Sequence, residues 1–212
     1  MNGLLITFEG TEGCGKSTQI AILAERLHTL GRTVKLVREP GGTPIGEEIR
    51  HTLKHSSSNH AMTSEAELLL MNASRAQLVR EVIRPALAVG EIILCDRFYD
   101  STTAYQGHGR ELDLQLVKTV IDIAVGDTRP QLTLLFHVPP EVSEARLASR
   151  QSTLPFVRDR IEEADRSFFE RVVKGYRAIA AAEPERVKLI DAVDTVEGVT
   201  AKIWKEVKPL VK

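Results

Sequence analysis

One stretch constrains this chain more than any other: Gly10-Thr11-Glu12-Gly13-Cys14-Gly15-Lys16-Ser17-Thr18. It fits the pattern G-x-x-x-x-G-K-[ST]. It follows an apolar, strand-like run, Leu4–Phe8, and precedes a helical pattern from Lys16 to about Leu30 that Gly31 stops. Between a strand and a helix, the glycines let successive backbone N–H groups turn inward around phosphate oxygens. The helix N-terminus adds the positive end of its dipole. Lys16 then reaches the β- and γ-phosphates of a nucleotide, and the Ser17 hydroxyl is placed to ligate Mg²⁺.

The rest of the chain repeats the alternation. Thr33–Val37, Ile92–Cys95, Leu132–Val138 and Val187–Ile190 read as further strands. Between and after them, Ile45–Lys54, Ser64–Val89 (interrupted at Pro85), Leu112–Val125, Glu141–Arg150, Glu162–Ala182 and Val196–Leu210 read as helices. Ile92-Ile93-Leu94-Cys95 is wholly apolar, as expected of a strand buried on both faces of a parallel sheet. Strand and helix in alternation imply an α/β fold with helices on both faces of that sheet. No linker, repeat or low-complexity tract divides the 212 residues, so one domain is expected. The loop near residues 151–159 reads either as a small mobile lid or as an ordinary surface loop.

The phosphate loop leaves three classes open. A GTPase normally carries N-K-x-D, but Asn2, Asn59 and Asn72 are none of them followed by Lys, and no D-x-x-G is present. A nucleic-acid-dependent ATPase would need a basic surface, whereas the net charge is −1. A kinase that uses ATP to phosphorylate a small molecule remains. Two cysteines make no disulfide framework and fit a reducing compartment. The start, Met1-Asn2-Gly3-Leu4, has no basic and apolar leader, and no apolar run approaches the roughly 20 residues of a membrane span. A cytoplasmic enzyme without membrane or nucleic-acid partners is expected.

Four further segments bear on the acceptor. Arg38-Glu39-Pro40-Gly41-Gly42-Thr43 follows the second strand, Arg75 ends the run Leu68–Arg75, Asp96-Arg97 closes the apolar third strand, and Ser101-Thr102-Thr103-Ala104-Tyr105-Gln106-Gly107 comes after it. Ligands of parallel α/β sheets gather at the carboxyl ends of strands. Three of these segments and the phosphate loop follow such ends and can meet in one crevice.

These residues resemble the thymidylate kinases, especially the bacterial type. The resemblance rests on F-E-G-T-E-G-C-G-K-S-T, R-E-P-G-G-T, Asp96-Arg97 with S-x-x-A-Y-Q-G, and D-R-I-E at Asp159–Glu162, and it runs from about residue 4 to 170. It implies a five-stranded parallel sheet flanked by helices, the nucleoside monophosphate kinase form of the P-loop fold, with a small lid at about 150–160. It also implies transfer of phosphate from ATP to dTMP with Mg²⁺ in dTTP synthesis, and a homodimer.

By the same resemblance Arg97 holds the acceptor phosphate, a task suited to a guanidinium fork, and Arg50 assists. Glu12 accepts from the deoxyribose 3′-hydroxyl, and Glu39 lies near the acceptor phosphate or its magnesium shell. Asp96 orients either metal-bound water or Arg97, and with Ser17 forms the metal set. Arg75 faces the thymine edge, Ser101, Thr102 and Gln106 complete the acceptor site, and Tyr105 crowds the 2′ carbon. Met71 stands where the family usually has a stacking Phe. One form of the family carries an arginine inside the phosphate loop and the other supplies it from the lid. Here Glu12 is followed by Gly13 and Cys14, so the lid form is expected, with Arg150 and Arg160 as the donors and Arg158 either joining them or merely solvated. His51, His55 and His60 read as a polar helix edge rather than a zinc site, and Cys14 as a small spacer.

Overall fold

The computed structural model describes residues 3–56, 58–151, 160–161 and 164–211. The chain runs β1 (Leu4–Glu9), α1 (Lys16–Thr29), β2 (Val34–Arg38), α2 (Pro44–Lys54), a 3₁₀ turn (Asn59–Ala61) and α3 (Ser64–Leu78). A π turn (Val79–Ile83) leads into α4 (Arg84–Ala88), followed by β3 (Ile92–Asp96) and α5 (Tyr99–Thr102). A second π turn (Thr103–Gly109) precedes α6 (Leu114–Val125), β4 (Leu132–His137) and α7 (Pro140–Gln151). The described part ends with α8 (Arg166–Ala182), β5 (Val187–Asp191), α9 (Val196–Val207) and a 3₁₀ turn (Lys208–Leu210).

The five strands pair in parallel in the order β2-β3-β1-β4-β5. Their alternation sorts the core by face. Leu4, Ile6 and Phe8 of β1 pack with Ile92 and Leu94 of β3 under Ile20, Leu23 and Leu27 of α1 and Val199 and Ile203 of α9. Leu5, Ile93 and Cys95 face the other way, toward Leu78 of α3, Ala86 of α4 and Val117 and Ile121 of α6. A third cluster joins Leu135 of β4 and Val187 of β5 to Phe168, Val172 and Tyr176 of α8. The central strands, buried on both faces, therefore read as largely apolar runs, and the buried Thr7 of β1 and Thr133 of β4 hydrogen-bond each other at 2.7 Å.

Local chemistry sets the helix starts. Thr43, Thr63, Asp113, Asp165 and Thr195 each accept a backbone N–H from the first turn of α2, α3, α6, α8 and α9, satisfying donors that a helix end leaves unpaired. This moves three expected starts: α2 begins at Pro44 rather than Ile45, α6 at Leu114 rather than Leu112, and α8 at Arg166 rather than Glu162. The interruption expected at Pro85 lies upstream, at Val79–Ile83. A proline ring collides with the carbonyl four residues back, here that of Glu81, and the wider π spacing relieves the collision.

α1 leaves β1 toward one face of the sheet, whereas the chain after β3 leads to α6 on the other. The two neighbouring strands send their connections apart, and a crevice opens beyond their carboxyl ends.

Candidate active site

The phosphate loop occupies one wall of this crevice. Gly10 has φ +133°, and a Cβ there would stand 2.6 Å from the Phe136 carbonyl oxygen, so the loop can turn this close to β4 only without a side chain. Lys16 is buried, and its Nζ donates to the carbonyls of Gly10 (3.0 Å) and Thr11 (2.9 Å), spanning the loop from within. Glu12 through Thr18 line a cleft of about 660 Å³. Its far side is built by Arg146 of α7, Ala192, Asp194 and Val196, and the Arg146 Nη2 donates to the Ala192 carbonyl at 3.0 Å. Ser17 Oγ donates to Asp96 Oδ2 at 3.4 Å. These two oxygens suit a hard cation that takes few protein ligands and completes its shell with phosphate and water.

Arg97 stands where β3 ends, in the left-handed region at φ +67°. A non-glycine residue is held there only when its surroundings dictate it. Its N–H donates to the Phe8 carbonyl (3.0 Å), and the next N–H, of Phe98, donates to Glu9 Oε1 (2.7 Å). The turn thereby aims the guanidinium back across the crevice, where Nη2 meets Glu12 Oε1 at 2.8 Å and Nη1 donates to Ser101 Oγ at 3.2 Å. The Arg97 charge holds the Glu12 carboxyl well below the usual range, against the opposing effect of burial.

Glu9 organises this turn from beneath. Fully buried, it accepts from Phe98 N–H, from Ser101 Oγ (2.5 Å) and from the Tyr176 hydroxyl (3.0 Å). Burial, reinforced by the nearby Asp100, pushes its pKa up from 4.5 to about 7. Folded chains then bind a proton that unfolded chains release between those two values. The contribution of Glu9 to stability is complete below about pH 4.5 and is lost as pH rises through 7. Glu12 acts in reverse, adding stability above its unfolded pKa and losing it as pH falls. Glu9→Gln resembles the protonated form. It should remove roughly 2–4 kcal/mol of the stability lost between pH 5 and 8. Melting curves of wild type and variant that stay parallel over this range would refute the assignment.

A second, narrower cavity of about 70 Å³ continues from the first, lined among others by Met71, Thr102, Tyr105, Gln106, Ile161 and Phe169. Arg75 forms its base and is 2% exposed. Its nitrogens serve protein partners: Nε and Nη2 reach Glu39 Oε2 (2.8 and 2.7 Å), Nη1 donates to Asn72 Oδ1 (2.7 Å) and Thr102 Oγ1 (2.9 Å), and Nη2 donates also to the Phe98 carbonyl (3.2 Å). Burial raises the pKa of Glu39, and the Arg75 charge opposes this. Tyr105 sits edge-on to Phe168 and Tyr176, with the Arg97 guanidinium 5.2 Å from its ring. Met71 lines the cavity and also packs against the α8 cluster.

Most of the residues singled out from the sequence thus come together. Gly13 to Ser17, Arg50 and Asp96 line the larger cleft, Glu12, Glu39 and Arg97 line both, and Met71, Arg75, Ser101, Thr102, Tyr105 and Gln106 line the smaller. Arg50 Nη1 donates to the Pro40 carbonyl at 2.9 Å. Arg160 lines neither cavity, and its guanidinium is placed on Glu67. Arg150 falls in the last turn of α7 with its side chain outside the described residues, as is the whole of Arg158. Among the described residues no group of three or more His, Cys, Asp or Glu side chains is placed to hold a metal ion, and the His51 and His55 rings lie 6.2 Å apart. Sequence reasoning missed Glu9, Lys54, Arg146 and Tyr176. For Lys54 a signal existed, since it lies one helical turn after Arg50. The other three depend on contacts between distant elements.

Comparison with known proteins agrees with this geometry. The family model described as thymidylate kinase matches residues 8–203. The chain is 46% identical over 210 residues to a thymidylate kinase of Alcanivorax borkumensis, covering 99% of this chain and 98% of that one. It is 48% identical over 206 residues to one from a Synechococcus species, covering 97% and 96%. The chain belongs to the thymidylate kinase family. The crystal structure of thymidylate kinase from Ehrlichia chaffeensis superposes with a TM-score of 0.78 at 31% identity, covering 98% of this chain and 99% of that one. The five-stranded parallel sheet flanked by helices is accordingly the P-loop nucleoside monophosphate kinase fold of the thymidylate kinases.

Proposed function

We infer that the chain transfers the γ-phosphate of ATP to the 5′-phosphate of dTMP, giving ADP and dTDP in the synthesis of dTTP. The observation that carries this reading is the seam between the two cavities: Glu12, Glu39, Lys54 and Arg97 line both. ATP occupies the larger cleft, its phosphates on the loop and its adenine toward Arg146 and Ala192. The nucleoside of dTMP occupies the narrower one, its phosphate at the seam.

Transfer requires an oxygen of the dTMP phosphate to bond to the γ-phosphorus while the bond to the β,γ-bridging oxygen breaks. No protein group forms a covalent bond, so alignment and charge balance supply the catalysis. Lys16 supports the transferring group from the donor side. Arg97, with Arg50 and Lys54 beside it, holds the acceptor phosphate. Glu12, whose carboxylate Arg97 keeps ionised, receives the 3′-hydroxyl. Ser17 and Asp96 would hold Mg²⁺, directly or through water, and the ion supplies neutralising charge to the phosphates when bound. Tyr105 crowds the 2′ position. Thr102 and Gln106 meet the base, with Arg75 behind them and Met71 against its face. Arg150 and Arg160 flank the stretch at about 150–160, which we read as the lid. For Arg160 to reach the phosphates it must leave Glu67.

We read the molecule as one domain, acting as a cytoplasmic homodimer. Leu69 on α3 and Leu116 and Ile123 on α6, exposed side chains on two helices that pack together, support the dimer. Among the described residues no helix is long and apolar enough to cross a membrane.

A coupled ADP-release assay across nucleoside monophosphates tests the activity. dTMP is expected to give the highest kcat/KM, and AMP, CMP or GMP outrunning it would sink the reading.

A further inference from the structure

Glu67 is fully buried in the first turns of α3, and the roles proposed above for the site residues do not account for it. Three side chains from two other parts of the chain end on its carboxylate. Gln106 Nε2 donates to Oε1 at 2.7 Å, Arg110 Nη2 donates to Oε2 at 3.0 Å, and Arg160 pairs with Oε2. A carboxylate with no partner would be costly here, and two guanidinium groups offset that cost. The neutral amide is the member that points to function, because Gln106 also lines the acceptor cavity.

An ionised carboxylate only accepts hydrogen bonds, whereas a glutamine amide has a donating and an accepting end. Glu67 therefore fixes which end is which, independently of how the two look alike. One N–H of Gln106 is committed to Glu67, which fixes the orientation of the amide and leaves its carbonyl oxygen as the acceptor it can offer to the cavity. Arg75, another strongly polar group lining this cavity, already has Glu39, Asn72, Thr102 and the Phe98 carbonyl as partners. The oriented amide of Gln106 is thus the reader best placed to report on the base edge.

We propose that Glu67 is a specificity-setting positioning residue: by holding the Gln106 amide in one orientation it presents an acceptor to the base and selects thymine over cytosine. Thymine carries a donor, N3–H, where cytosine carries an acceptor, N3. An acceptor in the wall matches the first and opposes the second, and a mismatch of this kind leaves buried polar groups unpaired. Deletion of Glu67 does not touch the substrate. It frees the amide to turn over.

The proposal rests on the dTMP kinase reading, and its test separates the two. Glu67→Gln keeps size and can offer its own NH₂ to the Gln106 oxygen, allowing the amide to reverse. The ratio of kcat/KM for dTMP to that for dCMP is expected to fall about tenfold or more, equivalent to about 1.4 kcal/mol or more. The change should lie in KM for dTMP with kcat affected less, since the base is remote from the transferred phosphoryl group. A residue that only braced the fold would lower the melting temperature and weaken all acceptors alike, leaving the ratio unmoved. Glu67→Asp keeps the charge for both arginines but is one methylene short of Gln106, and carries the same expectation if Glu67→Gln does not fold. A folded variant with the wild-type ratio overturns the proposal. The wild-type chain gives a check without any variant: with ¹⁵N-labelled glutamine, one side-chain amide proton of Gln106 should stay hydrogen-bonded whether or not dTMP is present. An amide proton that becomes protected only when dTMP binds would show nitrogen facing the base and equally overturn it. Failure of wild type to phosphorylate dTMP would instead remove the underlying reading.

Discussion

Lys16→Ala is expected to lower kcat by about 10²–10³-fold or more while leaving the chain folded, the loss seen when one preorganised charge-stabilising donor is removed. The ammonium is held inside the phosphate loop by the Gly10 and Thr11 carbonyls, so its position is set before a nucleotide arrives. Such a group needs little rearrangement as charge moves from the γ-phosphoryl group to the leaving ADP. Its deletion leaves two carbonyls without this partner, but it also removes a buried charge whose desolvation opposes folding. These two effects on stability have opposite signs, so the melting temperature should move far less than the rate. Lys16→Met, which keeps most of the side chain's length, should behave like Lys16→Ala in turnover. The measurement is kcat at saturating ATP and dTMP, with thermal melting as the fold check. Wild-type kcat in a folded variant would show that this loop does not carry the transferred phosphate.

Arg97→Ala should act on the other substrate. Truncating one partner of a desolvated charge pair costs about 2–5 kcal/mol, which is roughly thirty-fold to several-thousand-fold in kcat/KM for dTMP. KM for ATP should change little. Arg97→Lys should recover only part of the loss, because an ammonium cannot bridge Glu12 and Ser101 as the two Nη groups do. A pH signature accompanies the kinetic one. Without Arg97 the Glu12 carboxyl loses the main influence that holds its pKa down. The stability that Glu12 contributes above its unfolded pKa therefore shrinks, and the variant should lose less than wild type as pH falls from 5 toward 3. An unchanged dTMP KM in Arg97→Ala would place acceptor-phosphate recognition elsewhere.

The fold was legible because each strand is short and rich in Val, Ile or Leu and the helices α2, α3, α6, α8 and α9 start behind Thr or Asp caps. What local pattern could not show was helical structure without amphipathic period. Tyr99–Gly109 forms a short helix and a π turn, and nearly all of it is buried, so no polar face betrays it. In the site, the phosphate loop, Glu39, Arg97 and the 101–106 segment could be read because each follows a strand end or lies in a motif. Their pairings could not. Glu12 answers Arg97 across 85 residues and Glu39 answers Arg75 across 36, and either arginine alone looks equally suited to a ligand or to a protein carboxylate. The partner of Arg160 is the sharpest case. Its place in D-R-I-E suggested the transferring phosphate, whereas Glu67, 93 residues away on α3, holds it in this structure.

The parting of the chain after β1 and β3 also governs which changes a lineage can inherit piecemeal. In the function proposed above, donor-handling groups belong to the loop before α1, to α7 and to the β5–α9 link, while Met71, Thr102 and Gln106 stand on α3 and the segment after β3. Among the described residues no secondary-structure element carries both sets. Drift in α3 and residues 101–106 can therefore retune the accepted base while the ATP half is passed on intact. Glu12, Glu39, Lys54 and Arg97 have no such separation: each lines both cavities, and a change at any one of them alters the wall that the two share.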